Sequence, residues 1–211
     1  MKKKGIVALL AAGAMVCLSA CGAGFTTEDA QAYVQSALDA SYKADFDEYV
    51  KLTDSSKEEA EEMYQQNIDN VLTGIGLEDI GVSDELIGQY RELAPDLLAL
   101  ANYEVTGAEE DGDGFAVEVT YQAYTGWNEL DAELETVLTD IASSMTEMPS
   151  DEEINEIVYE EMLKLVQQKL EDPSYGEAQT FTVHVDKGSD NVYSINENDL
   201  IDLDYAMYAG E

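Results

Sequence analysis

Cysteine is nearly absent from this chain: Cys17 and Cys21 are its only two, and both fall within the first 21 of 211 residues. Beyond Cys21 there is no thiol left for a disulfide, a nucleophile or a metal centre. Basic residues are also scarce. Ten lysines and arginines face 46 aspartates and glutamates, for a net charge of −36. That balance excludes nucleic acid as a partner and opposes direct docking on anionic lipid. There is one histidine, His184, and one tryptophan, Trp127. Phenylalanine occurs 4 times against 13 tyrosines, so most of the rings carry a polar tip. No apolar run reaches the roughly 20 residues that cross a bilayer. Glycine-rich phosphate loops, HExxH helices, GxSxG elbows and SxxK motifs are all missing, which lowers the expectation of an enzyme, and no cofactor is implied.

What is present is regular patterning. Thr26 or Thr27 opens a helix with Glu28 and Asp29 in its first turn, and Ala30, Tyr33, Val34, Ala37, Leu38 and Tyr42 repeat at three and four. A shorter helix carries Phe46, Tyr49, Val50 and Leu52. Ser55-Ser56-Lys57-Glu58-Glu59 contains two overlapping capping boxes that start a third helix, which Gly74 and Gly76 end. Ser83 caps a fourth, through Leu98. The period then falls to 2. Tyr103 and Val105, then Phe115 to Ala123, alternate around an acidic, glycine-containing turn, which predicts a hairpin. A helix pair follows, capped by Asn128 and by Ser150 with Glu153. A second hairpin spans Phe181–Val185 and Val192–Ile195, and a last helix starts near Asn198 or Asp199 with Leu200, Ile201, Leu203, Tyr205 and Tyr208 on its face. These elements predict an α+β fold: N-terminal helices packed with a roughly four-stranded antiparallel sheet, its two hairpins separated by a helix pair.

The first residues follow a different plan. Lys2, Lys3 and Lys4 precede an apolar stretch from Gly5 to Val16, and Leu18-Ser19-Ala20-Cys21 closes it. This is the layout of a secretory signal peptide. Leu18, Ser19, Ala20 and Cys21 resemble the lipobox of bacterial lipoproteins. The resemblance implies a diacylglycerol thioether on Cys21, cleavage after Ala20, and attachment to the outer face of the cytoplasmic membrane as a palmitate-type lipid anchor. The expected division is residues 1–20 as signal peptide, 21–25 as a short tether and 26–211 as one extracytoplasmic domain, helical over 26–102. The three leading lysines are the only charges before Cys21, so their removal takes the net charge from −36 to −39.

Four candidate sites stand out. Glu109-x-Asp111-x-Asp113-Gly114 begins like a calcium loop, but the closing carboxylate position falls on Thr120, so a solvated turn is the better reading. His184 sits between Val183 and Val185, on the face of Thr182 and Asp186 and away from the core. Tyr121, Tyr124 and Trp127 cluster where hairpin gives way to helix, and could seal the sheet edge or stack on a glycan or peptide. The paired acids, such as Glu58-Glu59 and Asp151-Glu152-Glu153, fall mostly off the apolar stripes and read as solvated faces. The acidity favours solubility, with weak association of divalent cations or capture of basic peptides as its functional alternative.

The segment TEDAQAYVQSALDASYKADFDEYVKLTDSSKEEAEEMY and the close DNVYSINENDLIDLDYAMY are similar to uncharacterised surface lipoproteins of Gram-positive bacteria. That group joins a helical N-terminal part to a small antiparallel sheet, similar to cystatin or nuclear-transport-factor folds. The implied function is a non-catalytic binding or interaction module whose partner is a peptide, a glycan or an envelope protein. The alternative is an envelope-acting hydrolase with carboxylates as its acid/base groups.

Overall fold

The computed structural model describes residues 18–19, 24–188 and 192–208, with backbone alone for 18–19, Glu78 and Asp79. Ala20 and Cys21 lie outside the described residues. In order, the elements are β1 (Leu18–Ser19), α1 (Thr27–Lys43), α2 (Asp47–Thr53), α3 (Lys57–Ile75), α4 (Leu77–Ile80), α5 (Asp84–Leu98), β2 (Asn102–Asp111), β3 (Gly114–Tyr124), α6 (Leu130–Ser144), α7 (Asp151–Glu171), β4 (Tyr175–Lys187), β5 (Val192–Ile195) and α8 (Glu197–Tyr208). The sheet order is β1-β5-β4-β3-β2 and every pair is antiparallel. The α+β expectation holds: β2–β5 are the two predicted hairpins, and Leu18–Ser19 adds a two-residue strand against Tyr193 and Val192.

Three helix starts are fixed by reciprocal capping. Thr26 with Asp29, Ser56 with Glu59 and Ser150 with Glu153 each bond side chain to backbone in both directions. One other predicted cap is corrected. α6 starts after Glu129, which makes no side-chain cap bond, because Gly126–Glu129 forms a turn that places Asn128 before the helix. α8 is capped by Asn196, whose Oδ1 accepts from the backbone N–H of Asn198 and Asp199.

One sheet face is covered. Phe115, Val117 and Val119 on β3 pair across to Val185, Val183 and Phe181 on β4, buried Tyr121 and Ala123 continue the face, and α1 and α8 close over it. α3 and α5 pack on α1, and α7 packs on α5. The abundance of tyrosine now has a cause, since buried rings fasten one element to the next through their hydroxyls. Tyr42 donates to Asp204 (2.9 Å), Tyr90 to the Tyr159 carbonyl (2.7 Å), Tyr124 to the Lys169 carbonyl (3.2 Å) and Tyr208 to the Leu98 carbonyl (2.6 Å). Each such bond contributes about 1 kcal/mol net. A phenylalanine would fill the same space but lose these links, and at position 42 it would leave Asp204 Oδ1 without its donor.

Candidate functional site

Tyr121 and Tyr124 are buried, and Trp127 is half-buried. Tyr124 meets Trp127 edge-on at 4.6 Å and Tyr175 at 5.7 Å. Tyr121 donates to Gln179 Oε1 at 3.3 Å. The end of β3 is therefore locked to β4 and α7, with Tyr124 packed on Trp127 and Tyr175 and Tyr121 tied separately to Gln179. Gly126 is required here, because a Cβ would run into the Tyr124 ring and hydroxyl. The Trp127 indole N–H is buried and meets no acceptor among the described residues.

His184 lies on the outer sheet face, as its neighbours predict, but it has an acidic partner the sequence did not reveal. Asp199, in the first turn of α8, takes the His184 backbone N–H at 2.8 Å and sits 2.7 Å from ring Nδ1. Asp111 lies 3.9 Å from Nε2. The Asp199 bond, helped by the charges of Asp199, Asp111 and Asp186 and opposed by desolvation, raises the His184 pKa. The pair ties β4 to the start of α8, and its carboxylates favour the cationic form of the ring. The acidic run Glu109–Asp113 occupies the end of β2 and a tight turn, with Asp111 already paired to Gly114, which leaves no room for a 12-residue calcium loop. Among the described residues no group of three or more His, Cys, Asp or Glu is placed to hold a metal.

The most perturbed carboxyl is Asp204 on α8, which is 0 % exposed. The predicted inward face of α8 is corrected: Leu203, Asp204, Met207 and Tyr208 are buried, whereas Tyr205 is 50 % exposed. Asp204 Oδ1 accepts from Tyr42, and Oδ2 has no partner among the described residues. Burial pushes its pKa up to about 8, against a smaller lowering by the Tyr42 bond. Asp39, on α1, behaves oppositely. Burial pushes it up, but hydrogen bonds from Lys43, Gln35 and Tyr103 hold it below the usual carboxylate range. Two carboxyls pushed apart in this way are the usual sign of an acid/base pair. Here, however, the raised partner is sealed inside the core, where no substrate reaches its oxygens.

Reachable surface of unusual character lies on α6 and α7. The two are predicted as amphipathic helices with continuous apolar stripes. Yet α6 buries Leu130 alone, while α5, also 15 residues long, buries six. Leu134, Val137, Leu138 and Ile141 are half-buried, and Met145, Met148 and Ile154 are 38 %, 91 % and 38 % exposed. α7 turns Leu163, Val166 and Tyr159 towards α5 and leaves α6 with α7 as its main neighbour. Open grooves of about 540 and 580 Å³ flank α7, one towards α6 (Val137, Leu165, Lys169) and one towards α5 (Leu93, Leu100, Leu170).

No protein family model matches the chain, and no curated protein matches it. Among solved structures, it is similar to the crystal structure of a "putative lipoprotein" (ycdA) from Bacillus subtilis, with a TM-score of 0.60 at 15 % identity. The match covers 85 % of this chain but only 56 % of the other, so the chain spans little more than half the length of that neighbour. The likeness shows a shared fold.

Proposed function

We propose that this protein is a lipid-anchored, extracytoplasmic binding module with no catalytic role, held at the outer face of the membrane through Cys21. The observation that carries the reading is the lipobox Leu18-Ser19-Ala20-Cys21 set directly against the folded body. Phe25 follows Cys21 after three residues, and its ring already stacks on Tyr193 at 4.4 Å and meets Phe115 edge-on at 5.4 Å. With Phe25 seated on the body, the free part of the expected 21–25 tether is Gly22–Gly24, a root-mean-square span of roughly 9–10 Å. The fold shared with a protein described as a lipoprotein supports the same reading. Two acyl chains, at about 0.8 kcal/mol per buried methylene, suffice for stable anchoring where one does not.

The test is fatty-acid labelling and detergent-phase partitioning of the wild type and Cys21→Ala. The wild type incorporates label and enters the detergent phase; the variant incorporates none and does not. Equal partitioning of the two sinks the anchor.

A further inference from the structure

We propose that the open apolar face of the α6–α7 hairpin is a docking surface for a cationic amphipathic helix. The inference rests on the binding-module reading, though not on the lipid.

Its first support is the uncovered stripe. Leu138 and Ile141 on α6, Met145 and Met148 in the connection after it and Ile154 on α7 leave apolar surface in water of the kind that α5, equal in length to α6, buries. Methionine is suited to this work, because its flexible, polarisable side chain adapts to varied partners. The second support is charge. No lysine or arginine occurs between Arg91 and Lys164, while Glu129 to Glu161 holds twelve acidic residues. Most of these lie exposed beside the stripe, Glu135, Asp140, Glu147, Asp151 and Glu152 among them. An apolar stripe rimmed by one sign of charge selects a partner with an apolar face and the opposite charge, the helix-in-groove mode of recognition.

The charge also decides between occupants. An anionic bilayer and a second copy of this chain would each bring more negative charge to an already negative rim. A basic amphipathic segment brings both complements, and it meets Glu and Asp at the rim as its apolar residues cover Met145, Met148 and Ile154.

The probe is a 20-residue Lys/Leu peptide of helical amphipathic period, labelled with a fluorophore and titrated into purified full-length protein at 50 and 300 mM NaCl. A scrambled peptide of the same composition and a Glu/Leu peptide of the same period are the controls. The expected result is saturable binding of the amphipathic cationic peptide, at least tenfold tighter than the scrambled one, weakened by salt, and weakened at least tenfold by Met148→Gln with Ile154→Gln. Both replaced side chains are exposed, so the fold is retained and circular dichroism confirms it. Equal binding of the scrambled peptide, or no loss in the double variant, overturns the proposal. So does tight binding of anionic vesicles or concentration-dependent dimerisation that the double variant abolishes. Fatty-acid labelling reads the anchor and peptide titration reads the hairpin, so either can fail while the other stands.

Discussion

Replacing Asp204 by asparagine should make the protein more stable at neutral and alkaline pH, although it removes a hydrogen-bonding carboxyl from the core. Folded, Asp204 holds its proton up to about pH 8, because burial disfavours the charged form. Unfolded, it releases the proton near pH 4. The folded state therefore binds more protons across that window, and stability falls as pH rises from about 4 to about 8. At about 1.4 kcal/mol per pH unit, the three units between pH 4 and pH 7 amount to about 4 kcal/mol. Asparagine is neutral throughout, and its carbonyl still accepts from Tyr42. Its amide N–H groups meet the surroundings in which Oδ2 has no partner, which costs about 1–3 kcal/mol. The expected net gain at pH 7 is about 1–3 kcal/mol, with the advantage gone or reversed at pH 4.5.

Urea unfolding followed through Trp127, the single tryptophan, measures this in 0.5 M NaCl, where repulsion among surface carboxylates is screened and a buried carboxyl is not. That repulsion also weakens the fold as pH rises, so the decisive quantity is the difference between wild type and variant. If the two stability curves run parallel from pH 4.5 to 8.5, Asp204 is not a buried neutral acid and the reasoning fails.

Three further substitutions test neighbouring parts of the structure. Tyr42→Phe leaves Oδ1 of Asp204 without its donor and should cost about 1–3 kcal/mol in the same unfolding assay, most at high pH, where the carboxyl ionises. Asp199→Asn removes the largest cause of the raised His184 pKa, so the imidazole should titrate closer to 6.5, read by proton NMR. The stability that pair contributes is present below about pH 6.5 and disappears as pH rises through the folded pKa, and as a half-exposed pair it contributes under about 1 kcal/mol. Gly126→Ala should destabilise by about 1–3 kcal/mol, since the added methyl collides with the Tyr124 ring; an unchanged melting temperature would show that the ring packs elsewhere.

Local chemistry was readable from the chain wherever the cause lay within a few residues. Thr26, Ser56 and Ser150 each have an acid three places on, and each forms the reciprocal cap that spacing implies. The alternation from Phe115 to Ala123 became β3 with the expected residues inside. The short helix Leu77–Ile80 escaped notice because four residues between Gly76 and Gly81, both left-handed, show no periodicity. Asp204 has a signal in the sequence, four residues from both Leu200 and Tyr208 in the middle of the apolar face, but the charge of an aspartate points to solvent and masks it. His184 and Asp199 are 15 residues apart and meet only because the β4–β5 hairpin folds back under α8, which no local pattern encodes. For α6, the 3.6-residue repeat established that one face is apolar. Whether that face is covered depends on the arrangement of other helices, and periodicity carries no information about it.

On the proposed lipid anchor, the seating of Phe25 against Tyr193 and Phe115 also bears on proteolytic release. An endoprotease threads several extended residues through its cleft, and it finds them most readily in exposed loops and linkers. Between Cys21 and Phe25 there are three residues, spanning about 13 Å between the two α-carbons at full stretch. Freeing more chain would mean pulling Phe25 out from between two aromatic rings. If Cys21 carries the proposed anchor, so short a free segment makes the domain resistant to shedding.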